Sequence, residues 1–150
     1  MQPSEKFTEL MINFEGEKLV GYKDSKGLPT IGIGHLIRAG EPYAVRKSIT
    51  KEESRRLFAQ DTKAAVDAVN TLVKVPLTQN QFDALCSFVF NLGKEKFANS
   101  TLLKLINQKN FAAAANEFGK WNKQTVNGKL VEVKGLTTRR AAEKALFEKK

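Results

Sequence analysis

EGEKLVGYKDSKGLPTIGIGH, residues Glu15–His35, is where the helical period at the start of the chain breaks. Before it, Ser4 sits behind Pro3 as a helix N-cap. Phe7, Leu10, Met11 and Phe14 then follow at i, i+3, i+4 and i+7, an amphipathic stripe that Gly16 stops. Inside the stretch the pattern changes. Residues 19–22 read as a short strand, 23–27 as turn chemistry, and 29–34 as a returning strand whose glycines allow close backbone approach. A small antiparallel sheet follows, with Asp24 near its turn and Thr30 on the return strand.

Outward from this segment the chain reads as helices. Residues 37–48 are a polar loop broken by Gly40 and Pro42. Thr50 and Glu53 form a capping box that opens a long helix over 50–73, with Leu57, Phe58, Ala65, Val69 and Leu72 on its apolar face. That helix is either a bridge between two lobes or an ordinary core helix. Thr78 and Gln81 form a second box, and the helix after it, through FDALCSFVFNL to Gly93, is apolar on nearly every side. It is predicted to be the central buried helix. KEKFANS reads as a loop, residues 100–108 and 110–120 as short helices, and 122–135 as loop or irregular strand around Asn127–Gly128. Thr137 then caps a basic terminal helix, TTRRAAEKALFEKK. One helix, a small ribbon, then helices to the end make an α+β, mostly helical class.

Length and composition bound the function. The 150 residues fit one domain, and 41% apolar with 27% charged residues is ordinary for a globular chain. A net charge of +9 favours anionic partners: nucleic acid, an anionic membrane or an acidic envelope polymer. Cys86 is the one cysteine, so no intrachain disulfide forms, and its apolar setting reads as a buried inert thiol. A lone cysteine and a lone histidine exclude a zinc site of the His/Cys type, and no metal is expected. No secretory apolar segment opens the chain and no stretch is long enough to span a bilayer, so a cytosolic product without signal or anchor is expected.

The chemistry rests on spacing. Glu15 and Asp24 lie nine residues apart, and Thr30 six further on. Glycoside hydrolysis needs two carboxyls, one donating a proton to the departing oxygen and one ionised. Glu15 falls at a helix C-terminus beside Phe14, where dipole and ring both disfavour negative charge, which suits the acid. Asp24, in a polar turn beside Lys23, suits the base, and Thr30 would accept and donate hydrogen bonds to fix a water. By residue type alone, three unrelated surface residues remain the alternative, since 16 acids give many such pairs.

The pattern E-G-x7-D-x5-T-I-G-I-G-H resembles the catalytic segment of phage-type lysozymes, the endolysins of glycoside hydrolase family 24. ITKEESRRLFAQD resembles the start of that family's long inter-lobe helix, and VPLTQNQFDALCSFVFNLG its central helix. FANSTLL and GLTTRRAAEKALF resemble its later helices. The resemblance implies a small sheet lobe over about 15–60 and a helical lobe of about 1–14 plus 61–150, joined by the long helix. It implies Glu15 as general acid, Asp24 as second catalytic carboxylate and Thr30 as the water-positioning residue. The reaction implied is inverting hydrolysis of β-1,4 bonds between N-acetylmuramic acid and N-acetylglucosamine in peptidoglycan, lysing the host cell, with no cofactor.

With the family come Leu36, Phe90, Asn91, Phe97, Ser100 and Asn116 as candidate sugar contacts; core packing competes for the apolar ones. His35 is expected to pair with Asp61. Arg139 and Arg140 either reach toward Glu15 or form a solvated basic face. The basic terminal helix, with Leu146 and Phe147, is a candidate for an anionic outer-membrane surface, against plain docking of a terminal helix. The enzyme is expected to be a monomer that waits in the host cytoplasm until a holin-type lesion admits it to the wall. A basic nucleic-acid-binding protein is the alternative in another class. Dispersed charge and the lack of a reading helix or stacked-aromatic motif argue against it.

Overall fold

The computed structural model describes residues 1–150. The chain divides into two compact units, one of residues 8–63 and one of 1–7 with 64–150. Two helices run through the division: α1, Glu5–Glu15, and α2, Lys51–Leu72.

In the 8–63 unit, α1 leads into β1, Lys18–Lys23, β2, Pro29–Gly32, and β3, His35–Leu36. These form a three-stranded antiparallel sheet in the order β1-β2-β3. The single return strand expected over 29–34 is corrected here. Gly32 and Gly34 both take φ of +66°, so the chain turns between them and comes back as β3. The stretch 37–48 is not a free loop either. Gly21 N–H donates to the Lys47 carbonyl and Arg46 N–H to the Gly21 carbonyl, both at 2.9 Å, which fastens residues 45–48 along the outer edge of β1. Thr50 caps α2 by accepting from Glu53 N–H at 3.1 Å. The Glu53 carboxylate, expected to complete the capping box, instead accepts from the Tyr43 hydroxyl at 2.5 Å and pairs with Arg56.

The 1–7 and 64–150 unit is built around α3, Gln79–Leu92. Its capping box between Thr78 and Gln81 is complete, and Asn80 and every residue from Phe82 to Val89 are buried. That all-round burial matches the apolar run in its sequence. Asp83, 0% exposed, accepts from Ser4 N–H at 3.0 Å and from the Ser4 hydroxyl, tying the start of the chain to this helix. KEKFANS is helical at its start rather than a loop: α4, Lys94–Ala98, forms because Phe97 is drawn inside. Then come α5, Thr101–Asn107, α6, Phe111–Glu117, and a single 3-10 turn at Phe118–Lys120.

Residues 122–135 hold a regular hairpin instead of loose strand: β4, Lys123–Val126, pairs in full register with β5, Lys129–Glu132. Asn127 and Gly128, with φ of +51° and +80°, make the two-residue turn. The last helix, α7, spans Lys134–Glu148. It starts three residues before the expected Thr137 cap, and the Thr137 hydroxyl donates back to the Val133 carbonyl at 3.3 Å. Phe147 is 3% exposed and packs on Phe118 with ring centroids 5.3 Å apart. Of the two apolar residues proposed to face a membrane, Phe147 is therefore part of the core, and Leu146 is half-buried. No helix is long and apolar enough to cross a membrane.

Candidate active site

Glu15 is the last residue of α1 and is half-buried. Gly16 leaves the helix at φ +75° while its N–H still bonds the Ile12 carbonyl at 2.7 Å. Gly34 closes against the Glu15 side chain. A Cβ there would lie 3.0 Å from Glu15 Oε2 and 3.3 Å from Glu15 Cβ. The second glycine of TIGIGH is thus a bare wall beside a carboxylate: its φ of +66° favours glycine, and a Cβ there would crowd the Glu15 side chain.

Asp24 follows β1 and organises the turn. Its Oδ1 accepts from Lys26 N–H at 2.8 Å and Leu28 N–H at 2.9 Å, and its own N–H donates to the Leu28 carbonyl at 2.8 Å. The carboxylate is thereby held by one oxygen. Thr30, 3% exposed on β2, donates its hydroxyl proton to the Leu28 carbonyl at 3.0 Å. The hydroxyl was expected both to donate and to accept toward a water; with its proton committed, it is left as an acceptor.

Tyr22 links these residues and was missed in the sequence, where it read only as a strand former. It pairs with Thr30 across β1 and β2. Lys18 Nζ sits over its ring, 4.3 Å from the centroid. Burial pushes the Tyr22 phenol above its ordinary value, and the charges of Asp24 and Glu15 push it further the same way. One side chain therefore lies in the field of both acids. The available signal was its spacing of two from Asp24, which puts side chains on one face of an extended chain.

His35, 3% exposed, is held at both ring nitrogens. Nδ1 lies 2.7 Å from Asp61 Oδ2 and Nε2 lies 3.0 Å from Glu41 Oε1. Burial works against the charged ring, but the hydrogen bonds and charges of Asp61 and Glu41 outweigh it, so the imidazole sits above its usual value. Glu41 was not foreseen. The Arg38 N–H first, and then His35, hold its carboxyl below the ordinary range.

The family model described as Phage lysozyme matches residues 12–143. The chain belongs to the phage lysozyme family. It is 48% identical over 134 residues to the endolysin of Salmonella phage P22, covering 89% of this chain and 88% of the relative. Among solved structures it resembles an endolysin from Escherichia coli O157:H7 phage FAHEc1, with a TM-score of 0.89, 40% identity, and coverage of 99% of this chain and 94% of that one. It also resembles the muramidase domain of SpmX from Asticaccaulis excentricus, with a TM-score of 0.84, 37% identity and 99% of each chain covered. As a member of this family the protein is a glycoside hydrolase of the lysozyme type, with endolysin function.

The other family-suggested positions fall in different settings. Leu36 is 48% exposed on β3, directly across from Thr30. In the other unit, Phe90 is half-buried near the end of α3, and Asn91 and Asn116 are exposed. Asn91 Oδ1 accepts from Arg140 Nη2 at 2.7 Å. Phe97 is 0% exposed and meets the Phe88 ring edge-on at 6.2 Å, while the Ser100 hydroxyl donates to the Phe97 carbonyl at 2.7 Å and caps α5. These last two side chains are spent on packing and capping.

Arg139 and Arg140 do not form a solvated face. They are 6% and 0% exposed. Glu143 stands one turn on along α7, with its Oε1 3.0 Å from Arg140 Nε and its Oε2 3.5 Å from Arg139 Nε. The Ser87 hydroxyl donates to Glu143 Oε2 at 2.5 Å. Burial pushes the Glu143 carboxyl up, and the two guanidiniums and Ser87 oppose it. A carboxylate at i+3 and i+4 is what lets two adjacent arginines go inside.

Proposed function

We propose that this lysozyme cleaves the β-1,4 bond between N-acetylmuramic acid and N-acetylglucosamine in peptidoglycan, with Glu15 as general acid, Asp24 as second catalytic carboxylate and Thr30 orienting the water. One observation carries the reading: Asp24 and Thr30 are both fastened to Leu28, the carboxylate to its N–H and the hydroxyl to its carbonyl, while Gly34, just past the end of the same strand, closes on the Glu15 side chain. Two acids and a hydroxyl held along β2 and the turns at its two ends meet the need of glycoside hydrolysis for a proton donor, an ionised partner and a held water. Asp24 is anchored through Oδ1, which leaves Oδ2 to take a water. Thr30, with its proton engaged by the Leu28 carbonyl, accepts one water hydrogen and leaves the other to Asp24. Glu15, walled by Gly34, gives its proton to the leaving sugar oxygen. Leu36, across from Thr30, extends the sugar-facing surface on this sheet.

The substrate reading includes the wall of a bacterial host, reached after release by a holin-type lesion, with the enzyme acting as a monomer. Digestion of purified peptidoglycan followed by mass spectrometry tests the bond. The expected products carry new reducing-end N-acetylmuramic acid. New N-acetylglucosamine reducing ends, free amines from cut peptides, or anhydro-muramic ends from transglycosylation would overturn the assignment.

A further inference from the structure

We propose that the β4–β5 hairpin is a membrane-contact device that seats its tip in an anionic phospholipid bilayer surface. Every residue of both strands is exposed. Val126, Leu130 and Val131 are 47%, 71% and 45% exposed, and Leu130 has the greatest exposure of the large apolar residues on the surface. Such side chains clustered on one short ribbon call for a partner.

The register identifies what kind. Val126 pairs with Lys129 and Val131 with Gln124, which places both valines on one face. Leu130 pairs with Thr125 and points to the other face. A protein docking on one face would leave the other wet. Insertion of a narrow tip among lipid headgroups and upper acyl chains covers both at once. The charge is complementary as well. From Trp121 to Thr137 the chain carries Lys123, Lys129 and Lys134 against Glu132 alone. Lysines flanking exposed aliphatic side chains suit the boundary of an anionic bilayer, where the stems lie in apolar surroundings and the ammonium groups meet phosphate. The hairpin turn is preformed at Asn127–Gly128, so little order has to be created on binding. This surface is separate from the terminal helix, whose Phe147 is buried.

The test uses the full chain and vesicles of phosphatidylglycerol with phosphatidylcholine, against vesicles of phosphatidylcholine alone. Co-sedimentation should favour the anionic vesicles and weaken with salt. Leu130→Ser combined with Val131→Ser should lower that binding by at least about tenfold, the scale of losing two partly buried aliphatic groups, while digestion of purified peptidoglycan stays at the parent rate. As a second readout, Leu130→Cys carrying a polarity-sensitive dye should brighten on anionic vesicles. Cys86 is fully buried, with its thiol pushed well up by burial, so the dye reports on the hairpin. No preference for anionic vesicles, equal binding by the double variant, or a dye that stays in water would each overturn the proposal.

Discussion

Two antiparallel ribbons in this molecule start from similar material and end in different states. β1–β2 and β4–β5 are both short hairpins with polar turns. β2 is buried from Thr30 to Gly32, its free edge is taken by β3, and the outer edge of β1 is taken by residues 45–48. β4–β5 remains a two-stranded sheet with no third strand and no buried residue. A ribbon closed on both edges can hold a side chain to a fraction of an ångström, as the proposed chemistry at Asp24 and Thr30 requires. A ribbon open on both edges holds only its own turn, which suits a surface that meets a deformable partner.

The predictions probe that contrast, in order of size. Asp24→Asn keeps an oxygen that can accept from the Lys26 and Leu28 N–H groups, so the turn should survive while the rate of wall digestion falls about 10³-fold; turbidity clearing and circular dichroism check the two halves of that statement. Gly21→Ala attacks the closed edge directly. Its Cβ would lie 2.2 Å from the Ala44 carbonyl oxygen, and denaturant unfolding should show a loss of about 3 kcal/mol.

His35→Asn removes the ring that joins Asp61 and Glu41 and should cost about 2 kcal/mol without abolishing cleavage by folded enzyme. The pH dependence has a definite sign. The raised imidazole contributes fully below its unfolded value of about 6.5 and is lost as pH rises through the folded value. The lowered Glu41 carboxyl contributes above its unfolded value of about 4.3 and is lost as pH falls through the folded one. The stability gap between parent and variant should therefore be widest between these two pH values and close on both sides. Smallest of all, Leu130→Ser on the open ribbon should shift stability by less than about 0.5 kcal/mol, read by thermal melting.

The sequence made some of this visible and hid the rest for physical reasons. The capping box of Thr78 and Gln81 and the apolar run behind it are local signals, and α3 formed where they placed it. The pairing of His35 with Asp61 came from resemblance, and the side chains do meet. Glu41, six residues on from His35, carried no periodic signal, because it arrives through the fold of an irregular segment. The sequence leaves Arg139 and Arg140 open between a reach toward Glu15 and a solvated face, because no residue pattern announces that Ser87 of another helix will hold Glu143 inside and Asn91 will receive Arg140. Phe97 drew residues 94–98 into a helix through tertiary burial that local propensity did not reveal. The turn at Gly32 to Gly34 was written in the sequence as two glycines. The alternation of TIGIG concealed it, because that spacing also fits a continuous strand.

Glu15→Gln is the most direct test of the central claim that the Glu15–His35 segment is the catalytic one. The amide keeps the length and shape of a side chain already fitted against Gly34 but cannot supply a carboxylic proton. The variant should fold, bind purified peptidoglycan and lose at least about 10²-fold in hydrolysis rate. A folded Glu15→Gln enzyme that clears the wall at nearly the parent rate would contradict the account.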